Sequence, residues 1–496
     1  MIYTIEGLEN DHPVRDMLFN LLPAEVTERV DIIPEGTDAL GGMVQQTGME
    51  HCIRVCCTRG GKQVCTEKRA AITDDAVITK RALTHGVKAA VFEAVTPFLE
   101  HMPEWGSLTG VRPAKFARGF LEQGYTPAQV AQVMTEQYHV SPARRALAIR
   151  SAGIALDCKN RLQPRDISIY IGIPFCPSRC SYCSFVSHSI EKAGKLMAEY
   201  LDTLCAEIAH TGTILQQAGL RIISIYIGGG TPTTLSAEQM DRLLATVQQA
   251  FDLHALEEFT VEAGRPDTIT REKLLVLKQY GVDRISINPQ SMNETVLEAI
   301  GRHHSAQDVL DRFHLAREIG FHAINMDTIA GLDCDTPESF ANTMDTLIGL
   351  NPENITVHTL AAKRGADKHD RVQNAQKQEM VRQMLDIASR KLTAAGYAPY
   401  YLYRQKFMAG GFENVGWCKT GYECKYNIYM MEELQTIVSL GAGGVTKLLG
   451  ADGRKIQRIN NPKYPYEYNT ALDKINAGKQ AILEWAQSCT DEAVRD

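Results

Sequence analysis

Nowhere in the 496 residues is there a run approaching the ~20 uninterrupted apolar residues of a membrane-spanning helix. The opening, MIYTIEGLENDHPVRD, carries acids and a proline where a secretory signal would show a basic and then an apolar run. Both absences point to a cytoplasmic protein. Excess positive charge is lacking too: the formal net charge is -7, and residues 1–165 hold 19 Lys plus Arg against 19 Asp plus Glu. Phosphate contacts demand a cationic surface, so no nucleic-acid partner is expected. A reducing compartment argues against a disulfide framework. The 13 cysteines therefore read as metal ligands or reactive groups where clustered, and as small buried hydrophobes where scattered.

What is present is length and pattern. The chain is several times a typical domain, and its 44% apolar content is ordinary for a globular protein. Residues 1–165 read as an α+β accessory region. CIRVCCTRGGKQVCTEK holds two alternating runs around Gly60-Gly61, a hairpin signal, and helical patterns follow, broken at Ser141-Pro142. Cys52, Cys56, Cys57 and Cys65 in that hairpin read as packing residues, with a metal site as the alternative.

From Asp166 the texture changes. Apolar β-branched runs at ISIYIGI, RIISIYIGG, EFTVEA, DRISIN, HAINMDTIA and NITVHTL alternate with helical segments such as KLMAEYLDTLCAEIAHTGTIL. Repeated strand then helix implies a parallel sheet with helices outside, either a partial barrel or an open doubly wound sheet. In both, the site belongs at the carboxyl ends of the strands. This region spans 166–375, and the less regular remainder, 376–496, reads as a smaller cap domain closing one end of the sheet.

The first strand runs directly into IPFCPSRCSYC, with Cys176, Cys180 and Cys183 spaced C-x3-C-x2-C. A structural zinc site asks for a fourth Cys or His, for which His188 is the local candidate. Three thiolates can instead hold three irons of a cubic four-iron cluster and leave the fourth open to an external chelate. The second strand ends in YIGGGTPTTL, whose glycines let a backbone approach a ligand.

C-x3-C-x2-C at the end of the first strand of a β/α repeat resembles the radical S-adenosylmethionine (SAM) superfamily. YIGIPFC together with GGGTPT resembles its oxygen-independent coproporphyrinogen III oxidase (dehydrogenase) family, most closely the longer HemZ-type members, which share YYLYRQK, ENVG and LGAG segments. The resemblance covers roughly 166–445. It implies an α/β fold, a partial (β/α)6 radical SAM barrel with an α+β N-terminal domain and a C-terminal cap. It also implies a [4Fe-4S] cluster on Cys176, Cys180 and Cys183, with SAM chelating the open iron and yielding a 5'-deoxyadenosyl radical on reduction. By matched position the SAM contacts would be Tyr170, Tyr182, Gly229, Gly230, Thr231, Glu262, Gln290, Arg302, Asp327 and Ala361.

The implied reaction is oxidative decarboxylation of two propionates of coproporphyrinogen III to vinyls, giving protoporphyrinogen IX, with an external electron donor and acceptor. A tetra-anionic tetrapyrrole needs cations, for which Arg364, Arg404 and Lys406 are candidates. Two departures matter. The best-known branch has a fourth cysteine two residues after the triplet and a histidine four before it, where this chain has Phe185 and Gly172. The C-S-F ending is similar to that of HemW-type haem carriers, so a haem-binding carrier on the same scaffold is the alternative, followed by an enzyme acting on another tetrapyrrole, as in anaerobic haem degradation. Cys418 and Cys424 could ligate an auxiliary cluster or contact substrate.

Overall fold

The alternating runs around Gly60-Gly61 form the centre of a small sheet. The structure is a computed structural model and describes residues 1–22, 25–110, 112–183, 187–361, 368–405, 411–450, 453 and 455–493. Contacts divide the chain into two units. The first comprises Met1–Ala152, Ala361–Gln383 and Tyr403–Glu413, and the second Gly153–Leu360, Met384–Leu402 and Asn414–Asp496.

In the first unit, strands β1 (Ile2–Glu6), β2 (Glu28–Arg29), β3 (Ala39–Thr47), β4 (Glu50–Arg59) and β5 (Lys62–Ala71) lie in the order β2-β1-β3-β4-β5. Helices His12–Leu21 and Ala76–Val95 contribute Val14, Met17, Val87 and Phe92 to a core with Tyr3, Ile53 and Val55. The cysteines of the hairpin depart from expectation. The β4/β5 register sets Cys56 directly opposite Cys65, and the two form a disulfide. Directly opposed residues on one face of an antiparallel pair bring their Cβ atoms together, so pairing rather than packing or metal ligation accounts for them. Cys57 is fully buried, and burial pushes its thiol up to about 11.

Two segments distant in sequence complete this unit. The Glu413 carboxylate takes a hydrogen bond from Trp105 Nε1 at 2.7 Å and pairs with Arg144 at 2.9 Å, both charged side chains being 2% exposed. Arg404 donates to the carbonyls of Leu108 and of Gly411, the latter at 2.6 Å, and lies over the Trp105 ring. Arg404, expected to meet a substrate carboxylate, is thus committed to backbone carbonyls of its own unit. Arg364 and Lys406 lie outside the described residues.

The second unit is built on six consecutive parallel strands: β6 (Asp166–Ile173), β9 (Arg221–Gly229), β10 (Glu258–Gly264), β11 (Arg284–Ile287), β12 (Ala323–Ala330) and β13 (Asn354–Thr359). Between β6 and β9 lie the short β7 (Phe175–Cys176) and β8 (His188–Ser189). The six follow one another in space in chain order. A doubly wound sheet reverses its order part-way, so single winding excludes that alternative. Helices Met197–Gln217, Ala237–Ala250, Arg271–Gln279, Ala306–Ile319 and Pro337–Leu350 make the crossovers, two of them opened by capping boxes, Ser236 with Gln239 and Ser305 with Asp308.

Alternation sets the two faces. Ile167, Ile169, Ile171 and Ile173 are fully buried, while Ser168, Tyr170 and Gly172 point to the opposite side. The pentapeptide SIYIG occurs at 168–172 and again at 224–228, and the register pairs Ser168 with Ser224, Tyr170 with Tyr226 and Gly172 with Gly228.

Residues 376–496 do not form the separate cap expected. Their strands extend the same sheet at both edges, making eleven strands among the described residues. On one side β15 (Glu413–Cys418) runs antiparallel to β13, with β14 (Ala398–Arg404) beyond it. On the other, β16 (Thr436–Leu440) runs parallel to β6 and is followed by β17 (Val445–Leu449) and β18 (Ile456–Asn460). Each edge of a six-stranded arc presents unpaired backbone groups, and these strands satisfy them. No helix of the described residues is long and apolar enough to cross a membrane.

Removing one member of a buried ion pair leaves the other charge uncompensated. Glu413→Ala is therefore expected to lower stability by about 3–5 kcal/mol in urea unfolding, and Glu413→Gln, which still accepts from Trp105, by less. Equal midpoints for Glu413→Ala and the parent would contradict this account of the first unit.

Candidate functional site

The cysteine loop starts where β6 ends. Pairing of β7 with β8 joins Phe175 to His188 and Cys176 to Ser189, which closes the loop at its base. The loop docks on the turns after β10 and β11. Arg265 donates to Ser178 Oγ at 2.7 Å while held by Asp267, Ser181 N donates to the Ile300 carbonyl at 3.1 Å, and Ser178 Oγ to that of Gly301 at 3.4 Å. Arg265 is 3% exposed. It was not among the residues picked from sequence, although its place in EAGRP, just after a strand end, was the available signal.

The GGGT turn rests against the same loop. Gly230 N donates to the Ile173 carbonyl at 2.8 Å, and Thr231 N to that of Phe175 at 2.7 Å. A Cβ on Gly230 would fall 2.5 Å from the Phe175 carbonyl oxygen, so only glycine allows this approach. Thr231 Oγ1 lies 3.5 Å from Cys176 Sγ, a hydroxyl donating to a thiol. The backbone N–H groups of Gly230 and Thr231 are therefore spent on the protein, and Gly229 is the member of the turn that lines an adjoining cavity.

Tyr182 and Arg302 meet within the loop's surroundings. Arg302 donates to Tyr182 OH at 2.9 Å and to the Asn288 carbonyl at 2.8 Å, and both side chains face the Cys180 thiol. Burial raises the Tyr182 phenol well above its ordinary range, so it stays protonated. Gln290 sits in a left-handed turn (φ 68) after β11, its N–H donating to the Asp327 carbonyl at 2.9 Å. Ala361 follows Leu360, whose N–H donates to the Ala330 carbonyl, and it belongs to the segment grouped with the first unit.

Two carboxylates on the polar face are held in different states. Burial raises the Glu262 carboxyl from 4.5 to about 7, against the hydrogen bond from Tyr226 OH at 2.5 Å and that from Gly229 N–H. Burial acts on Asp327 as well, but His358 at 3.7 Å, Asn325 at 2.7 Å and Thr356 outweigh it and keep the carboxyl below its usual value. Near neutral pH, Asp327 is charged and Glu262 is part-protonated.

Beneath Glu262 three tyrosines stack. The rings of Tyr170 and Tyr226 lie 6.3 Å apart, and Tyr426, from the helix Lys425–Glu432, lies 4.5 Å from Tyr226 and 6.2 Å from Tyr170. Only Tyr170 was picked from sequence; the repeated SIYIG was the sign of its partner. Cys418 and Cys424 stand at the other end of the strands. Cys418 pairs with Asn354 at the start of β13, and the Cys424 thiol donates to Glu258 at the start of β10. They thus stand at the end of the strands opposite the cysteine loop.

The radical SAM superfamily profile matches residues 170–347. The oxygen-independent coproporphyrinogen-III oxidase-like protein HemZ of Bacillus subtilis is 39% identical over 386 residues, spanning 77% of this chain and 77% of its own. The chain belongs to the oxygen-independent coproporphyrinogen-III oxidase-like family of radical SAM proteins. The haem chaperone HemW of Bacillus subtilis is 34% identical over 310 residues, 60% of this chain and 77% of its own. Among solved structures, the Escherichia coli radical SAM enzyme coproporphyrinogen III oxidase (HemN) matches with a TM-score of 0.52 at 25% identity, over 66% of this chain and 73% of that one.

The radical SAM family implies a [4Fe-4S] cluster and SAM. The donor set suits the cluster: three cysteines on one loop, none of them in a disulfide, with the Arg302 guanidinium facing Cys180 and the Thr231 hydroxyl at Cys176. Among the described residues no three His, Cys, Asp or Glu side chains are gathered as a metal site, and that includes these three thiols. The loop would draw them together on loading.

After anaerobic reconstitution with iron and sulfide, Cys176→Ala should lose the visible charge-transfer absorption and Cys56→Ala should keep it. The reverse pattern would relocate the metal. Glu262 gives a separate test on the apoprotein. A raised folded pKa contributes stability below 4.5 that is lost as pH rises to about 7. Glu262→Gln removes this loss, so it should be more stable than the parent by roughly 3 kcal/mol at pH 8 and close to it at pH 4.5, read from thermal or urea midpoints at both values.

Proposed function

We propose that this chain is a radical SAM coproporphyrinogen III dehydrogenase, carrying out the oxygen-independent oxidative decarboxylation of two propionates to vinyls. The observation that carries the reading is convergence. The cysteine loop and the GGGT turn follow the carboxyl ends of single-wound strands, and Glu262 and Asp327 lie in the carboxyl-terminal halves of β10 and β12, an arrangement we read as a partial (β/α)6 barrel. When bound, the cluster and SAM supply the electron and the hydrogen-abstracting radical, and everything else is the protein's part.

Cys176, Cys180 and Cys183 would hold the cluster. Glu262 and Asp327 would accept hydrogen bonds from ribose hydroxyls, Asp327 as a fixed charge and Glu262 with an ionisation that depends on pH. Gln290, Arg302 and Tyr182 would close the side of the nucleotide next to the loop, and Tyr170 and Gly229 its other side. The tyrosine stack beneath excludes water from the face where hydrogen abstraction would take place. The substrate, a tetrapyrrole with four carboxylates, would enter from the open ends of the strands, and an external donor and acceptor would supply and remove electrons.

A haem-carrying role is the second reading. It is favoured by the 34% identity to a haem chaperone and by the lack of a fourth cysteine two residues after the triplet. One assay separates the two. The reconstituted, reduced protein is incubated without oxygen with SAM and coproporphyrinogen III, and the products are weighed by mass spectrometry. Loss of two carbon dioxide equivalents with formation of methionine is expected. SAM cleavage without decarboxylation would point to another tetrapyrrole substrate, and tight stoichiometric haem binding with no turnover would replace the enzyme by a carrier.

A further inference from the structure

Beside the end of β6 lies a cavity of about 480 Å³. One side is formed by Tyr170, Gly172 and Gly229, of which Tyr170 and Gly229 are assigned to the nucleotide in the proposed reading. The other comes from the C-terminal strands and carries Ala442, Asn460 and Lys463. Lys463 brings the only cationic side chain to the lining described. It is exposed, its ammonium lies 5.6 Å over the Tyr464 ring, and it makes no ion pair among the described residues.

The C-terminal wall is fixed by an unusual amount of buried polarity. Tyr200 OH donates to the Gly172 carbonyl at 2.6 Å and accepts from Ala442 N at 3.0 Å, so one phenol ties the two walls together. Behind it Glu207, fully buried, accepts from Gly441 N at 2.8 Å, from Asn461 Nδ2 at 2.8 Å and from Tyr468 OH, and pairs with Lys479 at 3.0 Å. The backbone of 441–444 is then joined to 461–462 through Gly443 N to the Pro462 carbonyl at 2.7 Å and Asn461 N to that of Gly444 at 2.9 Å. A buried ion pair is a weak source of net stability, since desolvation offsets its attraction. What this network supplies is position: it holds the segment carrying Lys463 against the end of β6.

We propose that Lys463, with the Asn460 amide, forms a carboxylate subsite that takes one propionate of the tetrapyrrole, an inference that rests on the proposed function. A flexible ammonium on a rigid wall suits a carboxylate at the end of a two-carbon arm. The carboxylate of SAM is claimed by the cluster in that reading, which leaves this wall to a different anion. Because Lys463 is exposed, replacing it does not perturb the fold.

The test uses the anaerobically reconstituted holoprotein and two probes, coproporphyrin III and its tetramethyl ester, titrated by fluorescence quenching, with SAM affinity measured in parallel by equilibrium dialysis. Lys463→Gln should weaken the tetra-acid about tenfold, Lys463→Glu more, and Lys463→Arg should restore most of the loss. Ester and SAM affinities should not change. Equal tetra-acid binding by parent and Lys463→Gln would overturn the subsite alone. Loss of SAM affinity with porphyrin binding intact would reassign the cation to the cofactor. A parent protein that binds no tetra-acid would remove the proposed function and the subsite with it.

Discussion

Everything at the site depends on two backbone hydrogen bonds, from Gly230 N to the Ile173 carbonyl and from Thr231 N to that of Phe175. They couple the turn after β9 to the start of the cysteine loop, and they exist because the two SIYIG strands lie in register and end level with each other. A one-residue slip would turn every side chain to the other face and bring Ile171 or Ile227 where Tyr170 and Tyr226 now stack. The lack of a Cβ at Gly230 then decides how closely the turn can sit. The cysteine loop and the GGGT turn are therefore one mechanical body.

The remaining constraint is at the edges of the sheet. Six parallel strands that do not close leave two rows of unpaired backbone groups. The C-terminal strands satisfy both, and in doing so bring side chains to the site that the repeat itself could not supply. Tyr426 reaches the tyrosine stack from the helix following β15, and Lys463 reaches the cavity from the segment following β18. The residues expected to make a cap are part of the same sheet as the cysteine loop's strand.

How much of this was legible can be said residue by residue. Glu262 and Asp327 were readable as polar residues of parallel strands, although both strands run on past them, β10 to Gly264 and β12 to Ala330. The cysteine loop was readable from spacing alone. What escaped were contacts between segments remote in the chain. Glu413 opens the ENVG segment, yet nothing local shows that its partner is Arg144. Cys424 sits near Cys418 in the sequence, but the antiparallel register of β15 sends both to the opposite end of the strands. The Cys56–Cys65 disulfide escaped because compartment, not register, was used to judge those thiols. Arg265 and Lys463 escaped for a simpler reason, since a single cation in a loop has no pattern.

The split between Glu262 and Asp327 bears on what the site is for. A surface that only holds a flat apolar macrocycle gains nothing from a carboxyl buried over stacked tyrosines, whose ionisation costs stability at neutral pH. A site that must grip a cationic nucleotide through its hydroxyls does gain, because a sulfonium nearby restores the charge on Glu262 as it binds. In the proposed reading binding and ionisation would be linked, and the nucleotide would complete the electrostatics around Glu262. Asp327, kept charged by His358 and Asn325, provides the fixed reference against which Glu262 responds.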